Sequence, residues 1–249
     1  MAYDRIVALD YGEEKRSGTA QEHDLGELGM TKDGRSYRYI FMDGAVTAGK
    51  LLQTAANIAE HDMDLVTAAA AIGATSISVT LGANDIAVDE YKDGFLYVND
   101  GAGEGQLFKI GPHAAVASGG AFAVPIRDEG GVRTAVTASS LCGLMKNPYK
   151  DAIVAPTTFT GHIVGATTRD MTDNYYGWAQ RSGLAALLAK GTIVIGGELQ
   201  RGNATTTDIA GAVEAVSYAA TVEDEIVGVA TLIIAVDTDY TLANMTLAP

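Results

Sequence analysis

Residues 75–81 read Thr-Ser-Ile-Ser-Val-Thr-Leu, with Ile77, Val79 and Leu81 alternating against small hydroxyl side chains. A period of two places successive side chains on opposite faces, so this stretch is a half-buried β-strand. The same reading extends outward in both directions. Phe95–Val98 follows the turn dipeptide Asp93-Gly94, and 106–110 follows a glycine-rich connection. Residues 121–126 and 132–138 are further strands, separated by Arg127-Asp128-Glu129-Gly130-Gly131. Upstream, Arg35–Phe41 alternates and is aromatic. Downstream, 163–167, 175–181, 192–195, 212–218, 226–235 and 240–247 repeat the style, with glycines between them. Many short strands divided by Gly- and Thr-rich turns predict a mainly β fold, barrel-like or sandwich-like.

One segment reads differently. Thr47 is a suitable N-cap, and Leu51, Leu52, Ala55, Ile58 and Ala59 fall on one face of a helix over 48–60. The expected fold is therefore mainly β with one or two short helices. Residues 1–36 carry roughly one charged residue in three and show no sustained period, so they are expected to form an extended N-terminal arm. A soft boundary near 146–156, where Lys146-Asn147-Pro148-Tyr149 meets Ala155-Pro156, then divides a β-rich domain, 37–150, from a smaller barrel-like domain, 151–249. No fixed-period repeat is visible.

Composition limits function. The chain has 249 residues, 17 Lys+Arg against 31 Asp+Glu, and a net charge of -14. Phosphate backbones need cations to displace their counterions, so direct nucleic-acid binding is not expected, nor is docking on an anionic membrane. The N-terminal MAYDRIVALDYGEEKRSG lacks a long apolar run, so no secretory leader is expected. A single cysteine excludes an internal disulfide framework. Gly is frequent (29) and aromatics are 7%, so burial per residue is modest, and association with other subunits would add to it.

Catalytic and metal motifs are weak. Gly101-Ala102-Gly103-Glu104-Gly105 precedes a strand and not a helix, and it lacks the third glycine of a dinucleotide loop, so it reads as a turn. His61-Asp62-Met63-Asp64, Glu223-Asp224-Glu225 and the pair Asp237, Asp239 offer cation ligands in isolation, with no second cluster, and read as solvated loops. Cys142 sits between small and apolar neighbours, as a buried thiol would. Ser139 and Ser140 lack a nucleophile elbow. No enzymatic activity, cofactor or metal is expected. The densest aromatic cluster is Tyr175-Tyr176-Gly177-Trp178, which is a core patch or a contact surface.

Lys146-Asn147-Pro148-Tyr149, Val164-Gly165-Ala166, Tyr176 to Gly183, Gly191-Thr192 and Gly196 resemble a structural protein family of tailed bacteriophages, particularly marine and cyanobacterial ones. Tyr91-Lys92-Asp93-Gly94 and Asp100 to Gly105 resemble the same family, so the similarity spans roughly 36–247 as a scattered pattern. The resemblance implies a non-enzymatic virion protein, a head decoration (cement) protein on the outer capsid surface. Its partners would be the major capsid protein and itself, as a homotrimer. Independently of the resemblance, Tyr175, Tyr176, Trp178, Tyr37 and Tyr39 are interface candidates, and the arm before residue 36 is expected to bridge subunits. A major capsid or tail-tube subunit is the nearest alternative, although the usual shell fold needs a long spine helix. A β-sandwich hydrolase or carbohydrate-binding module is the alternative from another class; it would show a concave site lined by carboxylates or aromatics.

Overall fold

The computed structural model describes residues 6–203, 209–216, 225–234 and 236–248. The chain is mainly β, 42% strand and 1% helical, in several sheets that form no closed barrel among the described residues, as in sandwich-like folds. It divides into two compact units. One runs up to Ala56 and resumes at Pro148; the other is Asn57–Asn147, inserted into the first. The border between the units at this end lies at 147/148, within the soft zone 146–156, and the first unit holds residues from both sides of it. The boundary expected at residue 36 does not separate units.

The first unit contains β1 (Val7–Leu9), β2 (Ser17–Gly18), β3 (Leu28–Thr31), β4 (Ser36–Phe41) and β5 (Leu51–Gln53). The second contains β6 (Leu65–Val66), β7 (Ser76–Thr80), β8 (Phe95–Asp100), β9 (Leu107–Lys109), β10 (Ala121–Pro125) and β11 (Leu141–Met145). The first then resumes with β12 (Ile153–Val154), β13 (Ile163–Thr167), β14 (Tyr176–Leu188), β15 (Glu198–Arg201), β16 (Val213–Ala215), β17 (Ile226–Ala230) and β18 (Tyr240–Thr246). Its 12-stranded sheet runs β1-β3-β4-β14-β18-β17-β15-β16. The 13-residue β14 is the spine: its first half pairs with β4 and its second half with β18, and the register shifts between Gln180 and Ser182. The second unit holds the sheet β6-β11-β8-β9 and the pair β10-β7, around a core that includes Ile77, Val79, Leu96, Val98, Phe122 and Leu144.

The helix expected over 48–60 is absent. Leu51, Leu52 and Gln53 form β5, all three buried, between β12 and β13. A strand buried on both faces loses its period of two, and two adjacent leucines then mimic a helical stripe. Among the described residues the helical structure is one 3₁₀ turn, Glu13–Lys15. Residues 132–138 and 192–195 are loops that each make one bridge, at Val136 and Ile193. Of the strands expected at 212–218 and 226–235, residues 213–215 and 226–230 are strand, and 217, 218 and 235 lie outside the described residues.

A recurring device organises both units. Four isolated antiparallel bridges, Val46↔Met171, Ala70↔Val136, Ile86↔Val116 and Ile193↔Ile234, are each closed by two reciprocal backbone hydrogen bonds of 2.7–3.0 Å. From seven of these eight residues the chain passes through a turn into a strand, β5, β14, β7, β11, β8, β10 or β15; Ile234 lies shortly before β18, with residue 235 outside the described residues. Six turns place a positive φ three residues after the bridge, at Gly49, Gly73, Asp89, Gly119, Asn174 and Gly196. That is the site where a type II turn needs Gly or Asn. Aspartates lock these clasps. Asp170 Oδ1 accepts from Ala48 N and Asp173 Oδ1 from Gly44 N; Asp85 accepts from Ser118 N, Asp89 from His113 N, and Asp237 from Gly191 N. Part of the acidic excess is thus spent on backbone amides that strand pairing leaves open.

At Gly119 an added Cβ meets nothing within 4 Å, so only the φ of +69° opposes a side chain. Gly119→Ala is expected to cost about 1–2 kcal/mol. Urea denaturation would read this as a lower midpoint at unchanged slope.

Candidate functional site

The aromatic cluster is a core. Tyr37, Tyr39 and Phe41 alternate on β4, and the register sets Tyr176 opposite Phe41 and Trp178 opposite Tyr39. All five therefore share one face of the sheet. The Tyr39 and Trp178 rings meet edge to face, with centroids 5.0 Å apart, and Tyr39 and Tyr176 stack at 6.0 Å. The His23 ring lies 5.1 Å from Tyr39 and 5.0 Å from Trp178. Leu9 joins Tyr37, Tyr39 and Trp178 in the buried cluster, with Val7 and Leu25 packed against it.

The N-terminal segment provides this cover. β1 pairs in parallel with β3, and β3 pairs antiparallel with β4. Glu14 is buried; its carboxylate accepts from Gly12 N at 2.6 Å and lies 3.8 Å from Arg35. At Gly29 an added Cβ would stand 2.7 Å from Leu9 and 2.8 Å from Trp178. Residues 6–36 are therefore built into the first unit, which corrects the expected extended arm; residues 1–5 lie outside the described residues. As to the interface candidates, Tyr37, Tyr39 and Trp178 are buried inside their own chain, while Tyr175 and Tyr176 are half-buried.

The other candidates are consumed by structure. The buried His61 ring bonds the Tyr91 hydroxyl at 2.9 Å and the Asn84 carbonyl at 3.2 Å, and Asp64 accepts from Asn99. Glu225 accepts from Ile163 N, whereas Glu223 and Asp224 lie outside the described residues. The loop Gly101–Gly105 connects β8 to β9. Cys142 is fully buried in β11, and burial pushes its thiol up to about 11. Among the described residues no three His, Cys, Asp or Glu side chains gather as a metal site. No helix of the described residues is long and apolar enough to cross a membrane.

Two surface features remain, and sequence reading singled out neither. The first is the tip of the clasp Ile193↔Ile234. Here Val194, Ile195, Leu232, Ile233 and Val236 are exposed, from 49% at Leu232 to 63% at Ile195. The corresponding flanks of the other clasps are mostly small or polar, such as Thr47-Ala48, Thr172-Asp173, Ala117-Ser118 and Thr137-Ala138. Residues 191–196 and 231–236 contain no charged side chain. A run of large aliphatics on two bridged loops is the kind of surface that marks an interaction site. The second feature is an open groove of about 310 Å³ beside the aromatic cluster. Tyr39, Tyr176 and Trp178 line one part of it, and Lys15, Arg16 and Arg169 another.

No family model, curated protein or solved structure matches this chain.

Proposed function

We propose that this chain is a non-enzymatic structural protein of a tailed-bacteriophage virion, a head decoration protein that binds and stabilises the major capsid shell from outside. The observation that carries the reading is the apolar, charge-free tip at Ile193↔Ile234. Each large aliphatic moved from water into a contact contributes about 1.5–3 kcal/mol when fully buried. The tip itself is uncharged, so its contact is governed by apolar burial and not by the net charge of -14, and a shell subunit is the occupant this reading assigns to it. The sequence resemblance supports the same class. The described residues contain no α-helix, which disfavours the alternative of a shell-forming subunit. The clasps suit a load-bearing role, since each ties two strand entries together through paired backbone bonds. Assembly into homotrimers belongs to this reading, because symmetric attachment multiplies a modest single contact.

Phage heads lacking the decoration protein, mixed with the purified chain and sedimented, are expected to bind it to saturation. The double substitution Ile195→Asp, Ile233→Asp is expected to reduce occupancy about tenfold or more at unchanged melting temperature, since both side chains are already exposed. Absence of binding by the unaltered chain would sink the function. Undiminished binding by the double variant would sink the tip as the attachment surface.

A further inference from the structure

The groove beside the aromatic cluster concentrates positive charge on an acidic chain. The Lys15 ammonium makes no ion pair among the described residues. Arg169 donates from Nε to the Asp170 carbonyl and from Nη1 to the Lys15 carbonyl, each at 2.8 Å. Those carbonyls hold the guanidinium in place without neutralising it. Arg16 lies 3.4 Å from Glu13, a pair largely exposed to solvent and therefore weak. The groove also contains an acceptor, Glu22, whose backbone N–H donates to the Tyr39 hydroxyl at 3.2 Å; that hydroxyl keeps its own proton to donate.

We infer that this groove binds a sugar acid, a saccharide unit bearing a carboxylate. Lys15 and Arg169 pair with the carboxylate. Glu22 disfavours a bare anion and instead accepts from ligand hydroxyls next to the charge. The half-buried Tyr176 ring supplies an aromatic face for the C–H groups of the sugar, with the buried Trp178 beside it at the groove wall. A simple inorganic anion satisfies only the first of these contacts, and a neutral sugar satisfies only the last two. The site lies apart from the apolar tip in sequence and chemistry, and it does not depend on the decoration reading.

Trp178 is the chain's single tryptophan, so its emission reports groove occupancy. Full-length protein would be titrated with glucuronate, glucose and acetate. Glucuronate is expected to change the emission saturably, with glucose and acetate at least about tenfold weaker. Lys15→Ala, at an exposed side chain, is expected to weaken glucuronate about tenfold while leaving the melting temperature unchanged. No saturable response to glucuronate, or one that Lys15→Ala leaves intact, would overturn the site. An equal response to acetate would overturn the sugar-acid assignment.

Discussion

Trp178→Ala is expected to lower the melting temperature by about 10 °C, from a loss of about 3–5 kcal/mol. The side chain fills the space between the sheet and its N-terminal cover, touching Tyr39, His23 and the Gly29 backbone region. Its removal leaves a cavity that β1 and β3 cannot close, because their pairing with β4 sets their distance. The half-buried Tyr175 lies outside the cluster, and Tyr175→Ala is expected to cost under about 1 kcal/mol. Far-UV circular dichroism melts at several protein concentrations separate the two possible roles of this cluster. A core residue gives a drop independent of concentration. A residue acting in subunit contact leaves the dilute chain unaffected, and a wild-type melting temperature for dilute Trp178→Ala would sink the core assignment.

Legibility followed burial. Where one face of a strand is buried and the other wet, as in Ser76–Thr80 and Ala121–Pro125, the alternation was plain and the strands stand where expected. Where both faces are buried, the period vanished. That is why Leu51–Gln53 resembles a helix in sequence and why Leu141–Met145, with Cys142, Gly143 and Leu144 all buried, shows no strand alternation. Gly143 is required there because the Tyr97 ring and the Asp62 carbonyl occupy the place of a Cβ. The clasp had a sequence signature all along: an apolar residue, two spacers, then Gly, Asp or Asn, as in Val46 to Gly49, Val116 to Gly119 and Met171 to Asn174. It recurs at irregular intervals, so a search for a fixed period passes over it. The groove was invisible for another reason: Lys15, Glu22 and Arg169 come together only when the N-terminal segment folds onto β14.

The residues that carry the phage resemblance do structural work. Asp93 holds a φ of +60° at the entry to β8, and the neighbouring Gly94 leaves no room for a Cβ against the Met145 carbonyl. Gly165 would set a Cβ 2.7 Å from the Gln180 carbonyl, and Gly183 sits at φ +84° just beyond the register shift of β14. Such positions constrain backbone path. They leave any attachment surface unspecified, whereas the apolar tip and the cationic groove are built from side chains the backbone does not demand. Substitutions at the tip and in the groove should therefore separate function from folding more cleanly than substitutions in the aromatic cluster.

Alkali should unfold the chain abruptly, beginning above about pH 9. Burial raises the Cys142 thiol to about 11, and it raises the phenols of Tyr91 and Tyr37 well above the ordinary tyrosine value. Nearby Glu90 and Asp62 push Tyr91 further up; at Tyr37 the Arg35 charge opposes the rise while Glu14 and Asp33 add to it. Below the ordinary values both folded and unfolded chains keep these protons, and stability is unaffected. Above them the unfolded chain sheds protons that the folded chain retains, so stability falls until pH passes the raised folded values. Each group contributes at most about 1.4 kcal/mol per pH unit, and because the folded thiol itself titrates near 11 as the unfolded tyrosines begin to ionise, the three together reach about 3 kcal/mol per unit between about pH 10 and pH 11. Set against a typical total of about 5–15 kcal/mol, this is enough to unfold a domain within a few units. Cys142 and Tyr91 both lie in the inserted unit, which should therefore lose structure first. Cys142→Ala tests the assignment, since between about pH 8.5 and pH 9.5 the unfolded thiol titrates while tyrosines and lysines in the unfolded chain largely do not. That variant is expected to flatten the fall in urea midpoint over this window, and an unaltered slope, or a wild-type chain equally stable at about pH 8 and pH 11, would refute the assignment.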